Sequence, residues 1–253
     1  MQEARAAWAL MLSNNDCEEK RMSKSGKKYQ AIANQIPSTK VLSVKDALTK
    51  VKEFAYAKFD ESVDVDVVLG IDATKGEHAV RGSVILPHGR GKKARVIVFA
   101  KGEHAEQARA AGADFVGAQD LVEKIQSGWL DFEYAVATPD IMGVVGQLAK
   151  ILGPSGKLPN KKLGTVTFDV AGIVTDLKKG RVFFKNDKQG LVHFTIGKVS
   201  FGIDQLQDNF SAFIKSLAQA KPMGAKGKFL KKVSITSTMG VGIRINAEDG
   251  ATL

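Results

Sequence analysis

The two ends of the chain carry the patterns of an antiparallel sheet covered by helices. Residues 44–58 place apolar side chains at helical spacing, and Ser43 just before them is a candidate N-cap. Residues 63–67 (VDVDV) alternate apolar and acidic positions, which predicts a strand with one buried face and one wet face. Residues 80–86 predict a second strand, which Pro87 ends. The first part of the chain is therefore expected to supply a helix and two strands.

The C-terminal part continues this pattern. Residues 181–185 (RVFFK) and 191–196 (LVHFTI) flank turn residues at 186–190, which predicts a β-hairpin. Residues 204–219 predict an amphipathic helix. Its apolar face consists of Leu206, Phe210, Phe213, Ile214 and Leu217. Further strands are predicted at 230–236 and 241–245.

The middle of the chain differs, because its predicted strands are continuously apolar instead of alternating. These strands are 95–100, 115–116 and 134–137. The predicted helices are 103–111, 118–127, 139–152 and 171–179. Strands that are buried on both faces and alternate with helices are typical of a parallel α/β sheet.

These patterns predict an α+β split domain formed by both chain ends, with an inserted three-layer α/β domain. The inserted domain is expected to have a parallel, Rossmann-like sheet and to cover residues 89–180, and the split domain to cover 22–88 plus 181–253. Residues 153–164 (GPSGKLPNKKLG) are rich in glycine, proline and lysine, which is typical of a linker.

Residues 1–21 stand apart from this plan. The apolar run 6–12 is short, has no basic region before it and is followed by DCEEKR (16–21), so a signal peptide is a poor interpretation. We expect an upstream extension, disordered or arising from a misassigned start, with the protein proper beginning at Met22; a short accessory helix is the alternative. No apolar run is long enough to predict a membrane span.

The charge of the chain favours an anionic partner. Its formal net charge is +10, and residues 215–232 hold six lysines and no acidic residue. Residues 150–188 hold eight lysines and one arginine against three aspartates. Lysines beside glycines and turns suit phosphate contact, because small residues let a nucleic-acid backbone come close. A solvated surface is the alternative interpretation of the same lysines.

Residues for catalysis, cofactors or metals do not stand out. Ala100 is followed by KGEHAEQ, which lacks the glycine fingerprint of a dinucleotide site, and the GRGK segment at 89–92 precedes its strand instead of following it. Cys17 and the four scattered histidines show no zinc spacing. Asp64 and Asp66 share a strand face and are interpreted as solvated surface. We therefore expect no catalytic residue, no cofactor and no metal.

Seven blocks together resemble the ribosomal protein L-one (L1) family. In chain order they are AKFDE (57–61), VDVDVVLGID (63–72), VRGSVILPHGRGK (80–92), FAKGEHAEQARAAGADFVG (99–117), ATPDIMGVVGQLAKILGPSG (137–156), FFKNDKQGLVHF (183–194) and TSTMG (236–240). The resemblance runs from about Met22 to Asn246. It implies the same two-domain architecture, with the main RNA site on the split domain, and it implies that the chain is not an enzyme.

The resemblance also implies which residues bind RNA. They are Lys58, Phe59, Ser62, Lys185, Asp187, Lys188, His193, Thr236, Thr238, Met239 and Gly240. The lysines would neutralise phosphates, and the two threonines would bind ribose or phosphate oxygens. Gly240 would allow close approach, while Phe59 and Met239 would pack against the RNA minor groove or support the site. A core position is the alternative for Phe59.

By resemblance, the chain is expected to be a structural constituent of the large ribosomal subunit in the cytoplasm. Its partners would be large-subunit ribosomal RNA at the mobile stalk, transfer RNA in the exit site, and the leader of its own mRNA, whose translation it would repress. We expect no membrane partner and a monomer when free. The alternatives from other classes are a nucleotide-dependent enzyme, which the missing glycine fingerprint disfavours, and a DNA-binding regulator, which equal competition by duplex DNA would support.

One departure from the family pattern generates a prediction. The family has an arginine and then Leu-Met-Pro-Asn-Pro in the interdomain loop, where this chain has Ser155 and then KLPNKK (157–162). Because proline restricts the backbone, Lys161 in place of proline predicts a looser hinge. Solution scattering of Lys161→Pro is expected to show a narrower range of domain orientations than the parent chain. Identical profiles would count against the idea.

Overall fold

A computed structural model describes residues 26–36, 41–72, 78–222 and 227–246. The predicted extension at 1–21, the start at Met22, and Lys226 of the lysine-rich segment 215–232 lie outside the described residues. Within the described residues, no helix is both long and apolar enough to cross a membrane.

Apart from the first helix, which the sequence patterns did not predict, the described elements follow the predicted order of helices and strands. The helices are α1 (Lys27–Ala33), α2 (Val44–Glu53), α3 (Glu103–Ala110), α4 (Gln119–Gln126), α5 (Met142–Val145), α6 (Ala149–Leu152), α7 (Val170–Lys179) and α8 (Ile203–Gln219). The strands are β1 (Ser62–Leu69), β2 (Arg81–Ile85), β3 (Val96–Phe99), β4 (Phe115–Gly117), β5 (Tyr134–Ala137), β6 (Arg181–Lys185), β7 (Leu191–Lys198), β8 (Leu230–Ser237) and β9 (Ile243–Ile245). Short 3-10 turns lie at Pro139–Ile141, Gly146–Leu148 and Lys161–Leu163.

Helix α2 begins as predicted but ends early. The Ser43 hydroxyl accepts a hydrogen bond from the Asp46 amide at 3.3 Å, which confirms the N-cap. The helix ends at Glu53, so its predicted extent to residue 58 is wrong. The Ala57 amide donates to the Glu61 carboxylate instead of back along the helix, and this bond turns the chain towards β1.

Among the described residues, the largest sheet is antiparallel and has the order β7-β1-β8-β9. Strand β1 lies inside it and buries every second residue, from Val63 to Leu69, as its alternating pattern predicts. Helix α8 contacts α2 and β7, and α2 contacts β8, so both helices cover the buried face. The opposite face of β1 carries Ser62, Asp64 and Asp66 and is only partly buried.

The predicted hairpin of β6 with β7 is wrong. Strand β6 pairs with β2 in a separate antiparallel sheet, while β7 pairs with β1. A single bridge, Asn186 to Val192, joins the two sides of the turn. The Asn186 amide donates to the Val80 carbonyl at 3.0 Å and the Leu69 amide to the Gly190 carbonyl at 2.9 Å. These bonds hold the two sides of the turn to different sheets.

The middle of the chain forms the predicted parallel sheet, with the order β4-β3-β5 among the described strands. All four residues of β3 are buried, as its continuous apolar run predicts. Buried residues of α4, α5 and α6 pack on one side of this sheet and those of α3 and α7 on the other. The parallel α/β character of this region is therefore confirmed.

The predicted helix 139–152 is not continuous. It consists of two four-residue α-helices, α5 and α6, separated by the 3-10 turn Gly146–Leu148 and preceded by another at Pro139–Ile141. Gly143 and Gly146 lie inside this stretch, and glycine weakens a regular helix. The apolar positions at helical spacing still face the core despite the 3-10 turns, because Ile141, Val145, Leu148 and Leu152 are all buried.

Buried side chains in the described residues form one cluster drawn from 36–86 and 182–245 and two clusters drawn from 96–177. The first contains Phe213, which stacks on Phe194 with 4.2 Å between ring centroids and meets the edge of Phe184 at 5.8 Å. The division into domains at 22–88 plus 181–253 and 89–180 stays a prediction.

The glycine- and proline-rich loop 153–164 packs against the middle region. The Lys157 ammonium donates to the Leu130 carbonyl at 3.0 Å, and the Asn160 amide donates to the Thr165 hydroxyl at 2.7 Å. Pro159 is buried. Lys161 begins a 3-10 turn that Asn160 caps, and the extended backbone of Asn160 suits a following proline. The backbone of the residue before Lys161 therefore accommodates the Lys161→Pro substitution.

Candidate nucleic-acid interface

Two loops meet at one end of the antiparallel sheet. One loop, 57–61, connects α2 to β1, and the other, 238–240, follows β8. The Thr238 amide donates to the Ser62 carbonyl at 3.1 Å, and the Ser62 amide donates to the Thr238 hydroxyl at 2.9 Å. This exchange extends the pairing of β1 with β8 into the loops. The structure thereby brings Lys58, Phe59 and Ser62 next to Thr238, Met239 and Gly240.

The carboxylate of Glu61 ties these loops together. Its Oε1 accepts a hydrogen bond from the Ala57 amide at 2.9 Å, and its Oε2 accepts one from the Met239 amide at 3.1 Å. The residue is only 1% exposed. One buried side chain therefore satisfies amides of both loops and holds them at a set distance.

The pKa of Glu61 reflects this setting. Burial by itself raises the pKa, but the neighbouring Ser237 hydroxyl and the amides of Ala57, Met239 and Tyr56 favour the ionised form. The Ser237 hydroxyl is close enough to the Glu61 carboxylate to favour its ionised form, but the two groups do not meet the geometry of a hydrogen bond. The net effect lowers the pKa of Glu61 below its ordinary value, so the bridging carboxylate is charged at neutral pH.

Two large apolar side chains project from the tied loops. Phe59 is 56% exposed and Met239 is 49% exposed, so the alternative of a core position for Phe59 is wrong. The Tyr56 hydroxyl donates to the Met239 carbonyl at 3.0 Å, which adds a second constraint on the 238–240 loop. Lys58 beside Phe59 is exposed. A cation and two apolar groups are thus presented together.

Thr236 and Gly240 have roles within the chain itself. The Thr236 hydroxyl donates to the Ser237 carbonyl at 3.0 Å, which leaves its oxygen lone pairs for another donor. A β-carbon added at Gly240 would lie 2.4 Å from the Ser237 hydroxyl. A larger residue at this position would therefore force the Ser237 side chain to move.

The partly buried face of the sheet carries paired polar groups. The Thr195 hydroxyl donates to Asp64 Oδ1 at 2.6 Å, and His193 Nδ1 lies 2.6 Å from Asp66 Oδ1. His193 is exposed, and both aspartates are partly buried. Both aspartates lie on the outward, partly exposed face, as expected, and each is also held by a cross-strand partner.

The remaining predicted residues lie at the far end of the sheet. Lys185, Asp187 and Lys188 are exposed around the turn that precedes β7. This turn lies beside Leu69, the last residue of β1, whereas Thr238 lies beside Ser62, the first. Strands rise about 3.3 Å per residue, so the two groups are ~20 Å apart. The predicted residues therefore lie in two separate groups and not in a single compact site.

Sequence reasoning missed Glu61 and Lys198. The Lys198 ammonium donates to the Ser62 hydroxyl at 2.9 Å and to the Asp60 carbonyl at 3.3 Å, so it lies beside the tied loops. Asp60 in turn accepts bonds from the amide and hydroxyl of Ser200. The acidic pair DE at 60–61 next to a strand was the available signal for these contacts. No comparable signal marked Lys198.

Across the described parts of the chain, no group of three or more His, Cys, Asp or Glu side chains could hold a metal ion.

Comparison with known proteins identifies the family. The model of the Ribosomal protein L1p/L10e family matches residues 51–241. The chain belongs to this family. It is 53% identical to "Large ribosomal subunit protein uL1" of Azoarcus sp. (strain BH72), over 88% of this chain and 97% of that protein. It is 54% identical to the protein of the same name from Burkholderia ambifaria (strain MC40-6), over 92% of this chain and 99% of that protein.

Membership confirms the resemblance inferred from the seven sequence blocks. Because the relatives are named as ribosomal subunit proteins, the expectation that this L1-family chain is not an enzyme is also confirmed. The matched residues include both tied loops and the polar face between them.

The bridging role of Glu61 generates a prediction. Glu61→Gln replaces one acceptor oxygen by an amide group that cannot accept from a backbone amide. We expect the free energy of unfolding at pH 7 to fall by about 1–3 kcal/mol. Because the folded-state pKa is lowered, the stabilisation by Glu61 is present at neutral pH and is lost as the pH falls through that pKa. Urea unfolding at several pH values measures both effects.

The difference in the free energy of unfolding between Glu61→Gln and the parent chain should therefore become smaller as the pH falls. Glu123→Gln, at an exposed position of α4, is the matched control and should change little. A difference that stays constant from neutral to acidic pH would contradict the bridging role.

Proposed function

We propose that this chain binds ribosomal RNA of the large ribosomal subunit through the partly buried face of its antiparallel sheet and the two tied loops. The observation that supports this most directly is the Glu61 bridge, which ties together the two loops that carry the exposed Phe59 and Met239. Family membership and the names of the relatives support the ribosome as the location. The chain would act there as a structural constituent, in the cytoplasm.

Each predicted residue has a role that suits RNA. Lys58, Lys185 and Lys188 are exposed cations and would neutralise phosphates. Phe59 and Met239 would lie against the minor groove, which in A-form RNA is wide and shallow. Thr236, Thr238 and Ser62 keep oxygen lone pairs for ribose hydroxyls. Asp187 and His193 would accept or donate hydrogen bonds to ribose or base edges rather than to phosphates.

The finer parts of the function are also proposals. The RNA would be that of the mobile stalk, and transfer RNA in the exit site would be a further partner. An mRNA leader that imitates the ribosomal site would occupy the same face, so repression of the chain's own translation needs no second site. We further propose a split domain with the inserted α/β domain at 89–180, and a monomer when free. Separate hydrophobic clusters on either side of these boundaries support the division.

A binding experiment tests the proposed site. The full chain is titrated with a large-subunit stalk RNA fragment, with duplex DNA as competitor and a series of salt concentrations. We expect binding that survives excess DNA. Met239→Ala should weaken it by about tenfold, since a central apolar contact contributes more than ~1 kcal/mol. Lys58→Ala should lower the salt slope by about 1, because one phosphate contact is lost.

Lys124→Ala, at an exposed position of α4, removes the same charge elsewhere and is the control. Thr238→Ala is less informative on its own, since its hydroxyl also bonds the Ser62 amide. If DNA abolishes the binding and every variant has the same affinity, only the net positive charge is acting, and the proposed function is wrong.

A further inference from the structure

The outward side of the antiparallel sheet has an ordered arrangement of charge. Along β1 the outward residues are Ser62, Asp64, Asp66 and Val68. Lys198 of β7 lies opposite Ser62 and bonds its hydroxyl, and Lys232 of β8 lies opposite Val68. The row therefore has a cation at each end and two carboxylates between them. Its length along β1 is ~20 Å, at about 3.3 Å per residue.

The central carboxylates are held in place but retain acceptor capacity. Thr195 and His193 each occupy the Oδ1 atom of one aspartate, at 2.6 Å. The Oδ2 atoms of Asp64 and Asp66 have no hydrogen-bond partner within the described residues. A carboxylate can only accept hydrogen bonds and repels phosphate. The centre of the row thus suits a neutral donor, whereas its ends suit anions.

Duplex RNA presents this arrangement of groups. Its wide, shallow minor groove displays ribose 2′-hydroxyls, which donate hydrogen bonds, between two rows of phosphates. The minor groove of B-form DNA is only about 6 Å wide and has no 2′-hydroxyl. A cation at each end of the row would meet the phosphates while the aspartates meet the sugars.

We propose that Asp64 and Asp66 accept hydrogen bonds from ribose 2′-hydroxyls in the minor groove of duplex RNA, and that they thereby discriminate RNA from DNA. Lys198 and Lys232 contact the phosphate rows on either side. This inference rests on the proposed function of the same face and adds the chemical group that the face reads. It also assigns a role to Asp64, Asp66, Lys198 and Lys232, none of which was among the predicted binding residues.

The test uses the full chain, its Asp64→Asn/Asp66→Asn double variant and three probes. The probes are a stalk RNA fragment, the same fragment with 2′-O-methyl groups in its duplex, and duplex DNA of the same sequence. Asparagine keeps the shape but loses the charge and half of the acceptor capacity. We expect RNA affinity to fall about tenfold in the double variant, while DNA affinity rises because repulsion is removed.

Two further readouts separate this role from general electrostatics. The salt slope for RNA should not change in the double variant, since no phosphate contact is lost, whereas Lys232→Ala should lower it by about 1. The 2′-O-methyl probe should bind the parent chain about tenfold more weakly than unmodified RNA, because the donor hydrogen is gone. The ratio between the affinities for the two RNA probes should be smaller in the double variant than in the parent chain, because asparagine accepts a weaker hydrogen bond than a carboxylate. Asp140→Asn, at an exposed position of the inserted region, is the control for charge.

The possible outcomes are distinct. If RNA and DNA affinities of the double variant rise by the same factor, the aspartates only repel polyanions and the inference is overturned. It is also overturned if the parent chain binds 2′-O-methyl RNA as well as unmodified RNA, a result that does not depend on how the variant folds. If the parent chain itself does not prefer RNA to DNA, the proposed function fails as well.

Discussion

The proposed RNA interface depends on one buried carboxylate that bonds two loops distant in sequence. Glu61 accepts hydrogen bonds from the backbone amides of Ala57 and Met239, so α2, β1 and β8 meet in a defined geometry. A buried charge is costly unless it is fully hydrogen-bonded, and here backbone amides supply those bonds. The exposed side chains beside it, Phe59 and Met239, can then remain near each other without being part of the core.

The antiparallel sheet supports this bridge and extends its effect. Strand β1 is paired on both sides, so its inward residues join the main core and its outward residues form a continuous polar row. Cross-strand partners hold the row: Thr195 for Asp64, His193 for Asp66 and Lys198 for Ser62. A preorganised face loses less entropy on binding than flexible side chains would. The same strand thus connects the main core with the proposed RNA surface.

Much of the fold could be predicted from local patterns. The alternation in 63–67, the continuous run in 95–100 and the periodicity of 204–219 each matched their elements, because side-chain period follows the face that is buried. The hairpin error arose where a long-range contact decides, because β6 pairs with β2 and Asn186 bonds Val80. The error at the end of α2 is local, since the Ala57 amide bonds a side chain four residues further on instead of a helix carbonyl. A single sequence does not display such partners.

The candidate site, like the fold, was only partly predictable from the sequence. The family blocks marked Phe59 and Met239, and the structure exposes both. The resemblance assigned no role to Glu61, which acts from a buried position, or to Lys198, which reaches the loops only through strand register. Asp64 and Asp66 resembled ordinary solvated residues of an alternating strand until their cross-strand partners were known. Residue type and spacing therefore indicated which surface is the candidate site. The order of charged residues along that surface depended on how β1 pairs with β7 and β8.

Hydrogen exchange on the full chain, free and bound to a stalk RNA fragment, tests most directly the claim that the tied loops and polar face form one RNA surface. Amides of 57–62 and of 237–240 should become protected together on binding, while those of α4 stay unchanged. Protection confined to one of the two loops, or to the parallel α/β region, would contradict the account.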